Sequence, residues 1–466
     1  MNKENVKICI DGKTLFGEMG TLLSDLIGIE KPCGGMGTCG KCKVLVNGKE
    51  ELACKYRVNS DIEVVTYYQG EILSETGIKA DGNVTENMCL ALDIGTTTLA
   101  LALVSLDDKR VVKVVTSTNP ERVYGADVIS RIAYCAKNSV DELKIVLIKE
   151  INTMIERLGA GVLENMYVSG NATMLHIFFG VDCSSIGVAP YQAAFLDSKC
   201  VSADSIGIFG VKNIKSLPSV SSFVGADIVA GLYYIGMPEG EKYNLLVDLG
   251  TNAEVVLYSN VGGVATAAAA GPCFEGANIS SGMSATDGAI YAFAIDDGVP
   301  VYKTVSDVAA KGICGTGLID IVSALLKAGI IDETGYMDKD YSIVENVSLS
   351  HLDVRQYQLA KSAIYSAILS LMRKRNVKFS DISKMYISGG FSSAINKDNA
   401  VYTGLLPKEL SFKTVALNNS SLLGTVKYAI NQESVDKFRE NIEYIDLSSD
   451  SYFAEAFVEN MIFEVE

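Results

Sequence analysis

Two passages of this chain occur twice in the same order, and that repetition constrains the fold more than any other feature. Leu90-Ala91-Leu92-Asp93-Ile94-Gly95-Thr96-Thr97-Thr98 is echoed by Leu245-Leu246-Val247-Asp248-Leu249-Gly250-Thr251-Asn252-Ala253. Later in each half, Met166-Tyr167-Val168-Ser169-Gly170-Asn171 is echoed by Met385-Tyr386-Ile387-Ser388-Gly389-Gly390. Any one of these passages reads as a buried strand followed by a turn. Matched in pairs and in order, they predict a duplicated α/β unit, with a first lobe over residues 89–242 and a second over 243–430.

Both lobes open on an apolar strand that ends in Asp-x-Gly-Thr. Such a strand sets a carboxylate beside backbone N–H groups and hydroxyls. The carboxylate suits a hydrated magnesium ion, and the amides and hydroxyls suit phosphate oxygens. Taken singly, Asp93 or Asp248 would be a turn or cap aspartate. As a repeated pair they predict two hairpins that face each other and grip a nucleotide from both sides.

A second signal lies ahead of the repeat. Cys33, Cys39, Cys42 and Cys54 follow the pattern C-x5-C-x2-C-x11-C, in a loop that also holds Gly34, Gly35, Gly37 and Gly40. A plant-type 2Fe-2S cluster takes three thiolates from one tight loop and the fourth from a later segment, and glycines let the backbone turn around the sulfides. Four thiolates also satisfy structural zinc, but zinc ribbons pair two x2 knuckles and only Cys39 and Cys42 have that spacing. The same loop contains GMGTCG, a formal GxGxxG. Pro32 and Cys33 precede it where a dinucleotide fingerprint needs a strand, and Cys42 stands where a P-loop needs a hydroxyl.

Around this loop, residues 1–69 read as a self-contained α+β unit. It comprises an alternating strand Val6–Ile10, a turn at Asp11-Gly12, a short strand near Thr14–Phe16, a helix over Leu22–Ile27, strands Lys43–Val46 and Ile62–Thr66, and a turn at Asn47-Gly48. Residues 70–88 lose apolar periodicity and read as a linker. Residues 431–466 read as an acidic tail, either a docking strip or a solvated face.

Composition narrows the class. A chain of 466 residues with 48% hydrophobic and 21% charged residues has ample core for two or three domains. A net charge of -16 without a basic patch argues against nucleic acid or an anionic membrane as partner. The longest apolar stretches, such as Gly288–Ile295, are too short to span a bilayer, and the start MNKENVKICIDGK is not a signal peptide, so a cytoplasmic protein is expected. Eleven cysteines then fit a reducing compartment. The two histidines, His176 and His351, read as ordinary packing or surface residues.

The repeated region resembles the acetate and sugar kinase, heat-shock chaperone and actin superfamily (ASKHA), with its ribonuclease H-like lobes. That resemblance implies a first phosphate motif at Asp93, Gly95, Thr96 and Thr97, and a second at Asp248, Gly250, Thr251 and Asn252. It implies an adenosine motif at Ser388, Gly389, Gly390 and Phe391, and a connecting segment at Gly312–Gly317, including Gly315 and Gly317, that helps the lobes close around ATP. A β-grasp ferredoxin fused ahead of an ASKHA module resembles, in turn, the reductive activators of corrinoid enzymes. The likeness includes GNATMLHIFFGVD at 170–182, FVGADIVAG at 223–231, AAGPCFEGANISSGM at 269–283 and KGICGTGLIDIV at 311–322.

Membership of that family implies ATP-driven transfer of one electron from the 2Fe-2S cluster to a Co(II) corrinoid. The partner would be the corrinoid protein of a methyltransferase system, with an external low-potential electron donor and a homodimer through the ASKHA module. Longer members carry a middle domain between linker and ASKHA module, for which fewer than about thirty residues are available here. The hydroxyls of Ser280, Ser281 and Ser284 either face the corrin or belong to a polar loop. Three other functions compete: an activator of acyl-CoA dehydratases, using Cys273 and Cys314, a small-molecule kinase, and a redox-sensing module that binds nucleotide without turnover.

Overall fold

In the computed structural model the described residues are 5–10, 13–27, 43–66, 78–125, 127–390 and 392–464. The chain divides into two compact units, residues 1–73 and 74–466.

The smaller unit is a five-stranded mixed sheet with one short helix. Its elements are β1 (Asn5–Ile10), β2 (Lys13–Glu18), α1 (Leu23–Ile27), β3 (Lys43–Val46), β4 (Lys49–Leu52) and β5 (Ile62–Thr66), in the sheet order β2-β1-β5-β3-β4. The central β1 and β5 run parallel, and each is flanked by an antiparallel neighbour. Asn47 and Gly48 both take positive φ, which matches the right-handed twist of a two-residue hairpin between β3 and β4. Alternate residues Val6, Ile8, Val44, Val46, Ile62 and Val64 face one core with Leu23, Ala53, Cys54 and Val58. Cys33, Cys39, Cys42 and the Asp11-Gly12 turn lie outside the described residues.

The larger unit holds the duplication. Its first lobe comprises β6 (Met88–Ile94), β7 (Thr98–Ser105), β8 (Arg110–Thr118), α2 (Val128–Lys137), α3 (Val140–Leu158), β9 (Leu163–Gly170), α4 (Ala172–Phe179), β10 (Cys200–Ser202), β11 (Val211–Ser216) and α5 (Ala226–Ile235). The second opens with β12 (Tyr243–Leu249), β13 (Ala253–Ser259) and β14 (Gly262–Ala268). An insertion follows, made of β15 (Ala289–Asp296), β16 (Val299–Thr304), β17 (Gly312–Ile313), α6 (Gly315–Lys327), β18 (Tyr341–Val344), β19 (Val347–Leu349) and α7 (His351–Arg375). The lobe ends with β20 (Ile382–Ser388), α8 (Lys397–Tyr402), β21 (Thr414–Ala416), α9 (Ser420–Asn431), β22 (Ile442–Tyr444) and α10 (Ser451–Glu459).

The two sheets share one plan. The first runs β10-β11-β9-β6-β7-β8 and the second β21-β20-β12-β13-β14-β22. In each, an antiparallel three-stranded meander is extended by two parallel strands, β9 and β11 or β20 and β21. The opening strands read as unbroken apolar runs because both faces of each sheet are covered. On β12, Leu246 packs into one core while Leu245, Val247 and Leu249 pack into the other. Between the sheets lie α5 and α9. α9 crosses β6, β7 and β9 of the first lobe, and Gly424 meets the Ala230 carbonyl so closely that an added Cβ would sit 1.9 Å from its oxygen.

Two boundaries differ from the sequence reading. The end of the linker, residues 78–87, is fastened to the first lobe: the Gly82 N–H donates to Val111 O at 2.9 Å, and Asn83 donates twice to Asp108 Oδ2. The acidic stretch 431–464 is not a separate tail but packs on the second lobe, with acidic side chains such as Glu433, Asp436, Glu440 and Glu443 exposed. β22 adds in parallel to β14, α10 packs on α7, and Phe438, Leu447 and Phe463 are buried. Its apolar residues are widely spaced among acidic ones, and burying them outweighs the charge that made the stretch look like a tail.

Candidate functional site

The registers of the two sheets bring the repeated residues together. β6 pairs with β9 so that Asp93 lies opposite Ser169, and β12 pairs with β20 so that Asp248 lies opposite Ser388. The same Asp–Ser pair therefore stands at the C-terminal ends of neighbouring parallel strands in both lobes, where open α/β sheets place their ligands. Gly389 at φ 111° lets β20 leave this edge, since a Cβ there would lie 2.2 Å from Leu249 O.

Asp93 is buried, and each of its oxygens accepts a hydrogen bond. Oδ2 accepts from Asn419 Nδ2 at 2.7 Å and Oδ1 from Ser421 Oγ at 2.7 Å, both from the start of α9. Burial pushes its pKa up, against the pull of those hydrogen bonds. Asp248 is pushed up to about 6 by burial, with Ser388 opposing and the Asp93 charge adding.

Two more carboxylates share this floor, and the sequence reading missed both. Asp227, in the first turn of α5, is pushed up to about 7 by burial and then by Asp248 and Asp93. Glu254 sits directly across the strand pair from Asp248 and is raised well above the usual range by burial, with Asp227, Asp248 and Glu275 adding to it. Burial raises all four acids, and neighbouring carboxylates add to it at Asp248, Asp227 and Glu254, so the site is short of positive charge and a divalent cation with its phosphate ligands would relieve it. Among the described residues, no group of three or more His, Cys, Asp or Glu side chains is already drawn together in metal-holding geometry.

The turns are held from behind. Arg131 of α2, with no exposed side chain, donates from Nη2 to Thr96 O at 2.6 Å and from Nε to Gly125 O at 3.0 Å. Its Nη1 pairs with the equally buried Glu121 at 2.9 Å. Asn119 Nδ2 donates to Gly95 O at 2.9 Å, and Asn171 Nδ2 to Thr96 Oγ1 at 3.1 Å. Facing the cleft, Thr97 Oγ1 and the Thr251 N–H and Oγ1 all donate to Glu275, a third residue that the sequence reading missed. Gly250 and Asn252 close the second turn on each other, Gly250 N to Asn252 O at 3.1 Å.

The other candidates fall in different places. Gly390 leaves open space, with nothing within 4 Å of an added Cβ, while Phe391 lies outside the described residues. Gly315 and Gly317 are buried at the start of α6, where a Cβ would come within 2.1 Å of Phe274 O and 2.0 Å of Ile290 O respectively, so their immediate use is close packing. Ser280 spends its N–H and hydroxyl on Asp353 at the head of α7, and the Ser281 hydroxyl accepts from the Ser348 N–H. These two belong to the polar loop.

Cys273 and Cys314 are buried in the second lobe. Burial pushes the Cys273 thiol up to about 12, and Cys314 Sγ bonds Ile290 O. His176 is a core residue between Ala172 O and the Ala194 N–H, stacked on Phe195, and His351 is on the surface. Cys54 is buried in the small unit's core, immediately after β4. No described helix is long and apolar enough to cross a membrane.

Comparison with known proteins fits this geometry. Residues 242–466 match the model of the C-terminal domain of RACo, the ASKHA domain, and residues 88–240 match that of the RACo middle region. The chain belongs to the family of reductive activators of corrinoid enzymes. A solved "Reductive activator for corrinoid,iron-sulfur protein" is 25% identical, covers 98% of each chain and superposes with a TM-score of 0.73. The corrinoid activation enzyme RamQ of Eubacterium limosum is 27% identical over 80% of this chain and 70% of its own length. The "[Co(II) methylated amine-specific corrinoid protein] reductase" of Methanosarcina barkeri is 27% identical over 72% and 68%. In this activator, the stretch matched as the middle region is the one that folds as the first ASKHA lobe.

Proposed function

We propose that the protein reductively activates a corrinoid protein, using ATP to move one electron from a 2Fe-2S cluster to Co(II) and so regenerate Co(I) for methyl transfer. The observation that carries the ATP part is the meeting of the two Asp-x-Gly-Thr hairpins. Their hydroxyls converge on the Glu275 carboxylate, near four buried acids, Asp93, Asp227, Asp248 and Glu254, whose pKa values are all raised. In this reading Asp93 and Asp248 hold the hydrated magnesium, and the turns Gly95–Thr97 and Gly250–Asn252 receive phosphate oxygens. Gly390 leaves room for the adenosine. Cys33, Cys39, Cys42 and Cys54 hold the cluster, which supplies the low-potential electron.

The coupling has an energetic reason. Plant-type clusters lie near roughly -400 mV, and the cobalt couple of such corrinoids lies lower. For a one-electron couple each deficit of about 59 mV is a factor of ten, so a gap of roughly 120 mV would leave only about one per cent reduced. ATP therefore acts on the complex, through different affinities of its nucleotide states for the Co(II) and Co(I) partner. Small-molecule kinase activity gives no use to four N-terminal cysteines. The buried Cys273 and Cys314 give no support to a cluster inside the ASKHA fold.

The test is anaerobic mixing of the reduced protein with a Co(II) corrinoid protein, with and without ATP, followed by cobalt absorbance. Co(I) should form only with ATP. Equal formation without ATP, or none with any methyltransferase corrinoid protein, refutes the proposal.

A further inference from the structure

Glu275 belongs to neither Asp-x-Gly-Thr hairpin, yet the two hairpins meet on it. Its Oε1 accepts from the Thr251 N–H at 3.1 Å, and its Oε2 accepts from Thr251 Oγ1 at 3.1 Å and from Thr97 Oγ1 of the other lobe at 3.3 Å. One amide and two hydroxyls around an anionic oxygen pair are the donors that a phosphate group would use. The carboxylate is not there by the chance of a flexible loop. It ends the single 3-10 turn Pro272–Glu275, whose Cys273 and Phe274 are buried, and the preceding Gly271 N–H donates to Thr251 O at 2.9 Å.

We propose that Glu275 is a phosphate surrogate: without nucleotide it occupies the shared donors of both hairpins and ties the lobes across the cleft, and the phosphate chain of ATP must displace it to bind. The proposal rests on the ATP reading above. Two anions cannot share these donors, because each would lose hydrogen bonds and repel the other. Glu275 thus weakens binding of phosphate-bearing ligands and leaves adenosine, which needs none of these donors, unaffected. It also makes nucleotide binding an exchange, in which the Thr97-to-Glu275 link between lobes is broken as the phosphate contacts form.

Titration of the full chain by calorimetry, with Mg-ATP and with adenosine, tests this. Glu275→Gln, which keeps the shape and removes the charge, should bind Mg-ATP about tenfold more tightly and adenosine unchanged. In hydrogen exchange without nucleotide, the Thr251 amide should exchange faster in Glu275→Ala than in the native protein and become protected again with Mg-ATP. Should Glu275→Gln fail to fold, Glu275→Asp, which withdraws the carboxylate by one methylene, should still speed Thr251 exchange and tighten Mg-ATP about two- to threefold. Unchanged or weaker Mg-ATP binding, with adenosine binding intact, overturns the surrogate and leaves the ATP reading standing. No binding of Mg-ATP or adenosine by either protein overturns both.

Discussion

Removing the Arg131 guanidinium should show what fixes the first phosphate turn. Arg131→Met fills much of the same volume but leaves the Glu121 carboxylate buried with no cation, and it strips the donors from Thr96 O and Gly125 O. Breaking a buried pair on one side costs about 3–5 kcal/mol, and each carbonyl left dry adds about 1 kcal/mol. A loss of about 5–7 kcal/mol corresponds, for a unit of this size, to a fall of about 6–8 °C in Tm.

The loss should also depend on pH. Burial holds the Glu121 pKa up to about 7 in the native protein, above its ordinary 4.5, even with Arg131 opposing. The folded state therefore binds the proton more tightly than the unfolded one, and this group's contribution to stability falls as pH rises from 4.5 through 7. Without Arg131 the folded value climbs further, so the fall continues to higher pH. The variant should differ most from the native protein near pH 8 and least near pH 5. Adding Glu121→Gln should restore most of the loss, because no charge is then stranded. Scanning calorimetry of the full chain at both pH values is the assay. A loss below about 1 kcal/mol at pH 8, equal losses at both pH values, or no rescue by Glu121→Gln would show that Arg131 acts by packing and not by charge.

Asp227→Asn should stabilise the nucleotide-free protein at pH 8 by about 2 kcal/mol, after discounting for partial exposure, and by almost nothing at pH 3. The sign follows from a folded pKa near 7 against an ordinary 3.8, which costs stability as pH rises between them; thermal melts at the two pH values decide. Phe463→Ala, which empties a buried site stacked on Tyr357, should cost about 3–5 kcal/mol and speed hydrogen exchange across α10, as mass spectrometry of that peptide would record. Cys42→Ala should remove the iron-sulfur absorbance and spare ATP binding, whereas Asp248→Ala should do the reverse. Both are read by absorbance and nucleotide titration on the same samples.

The duplicated lobes were legible because two-sided burial turns strands into continuous apolar runs, and because Asp-x-Gly-Thr fixes where each run must stop. The register was not legible: that Asp93 lies opposite Ser169 and Asp248 opposite Ser388 comes from the pairing of β6 with β9 and β12 with β20, which the repeat alone does not set. Glu254, by contrast, was within reach. A three-residue turn after Leu249 puts it directly opposite Asp248, and counting back along the hairpin would have found it. Asp227 and Glu275 had no such signal, because α5 and the Pro272–Glu275 turn reach the cleft only through tertiary packing. The C-terminal segment was set apart as a tail for a compositional reason: its acidic residues are many and exposed, but Phe438, Leu447 and Phe463 anchor it by burial.

The helix pair between the sheets bears on how this protein can be dissected. The two family models divide the chain at residue 241, and a cloned fragment would naturally follow that division. Residues 88–240 made alone would bare the face of β6, β7 and β9 that α9 covers, and would leave Asp93 without Asn419 and Ser421. Such a fragment should be insoluble, whereas co-expression with 242–466 should rescue it as a non-covalent pair. Heredity copied one unit twice, but the second copy supplies the helix that completes the first, so the smallest heritable piece is not the smallest foldable one.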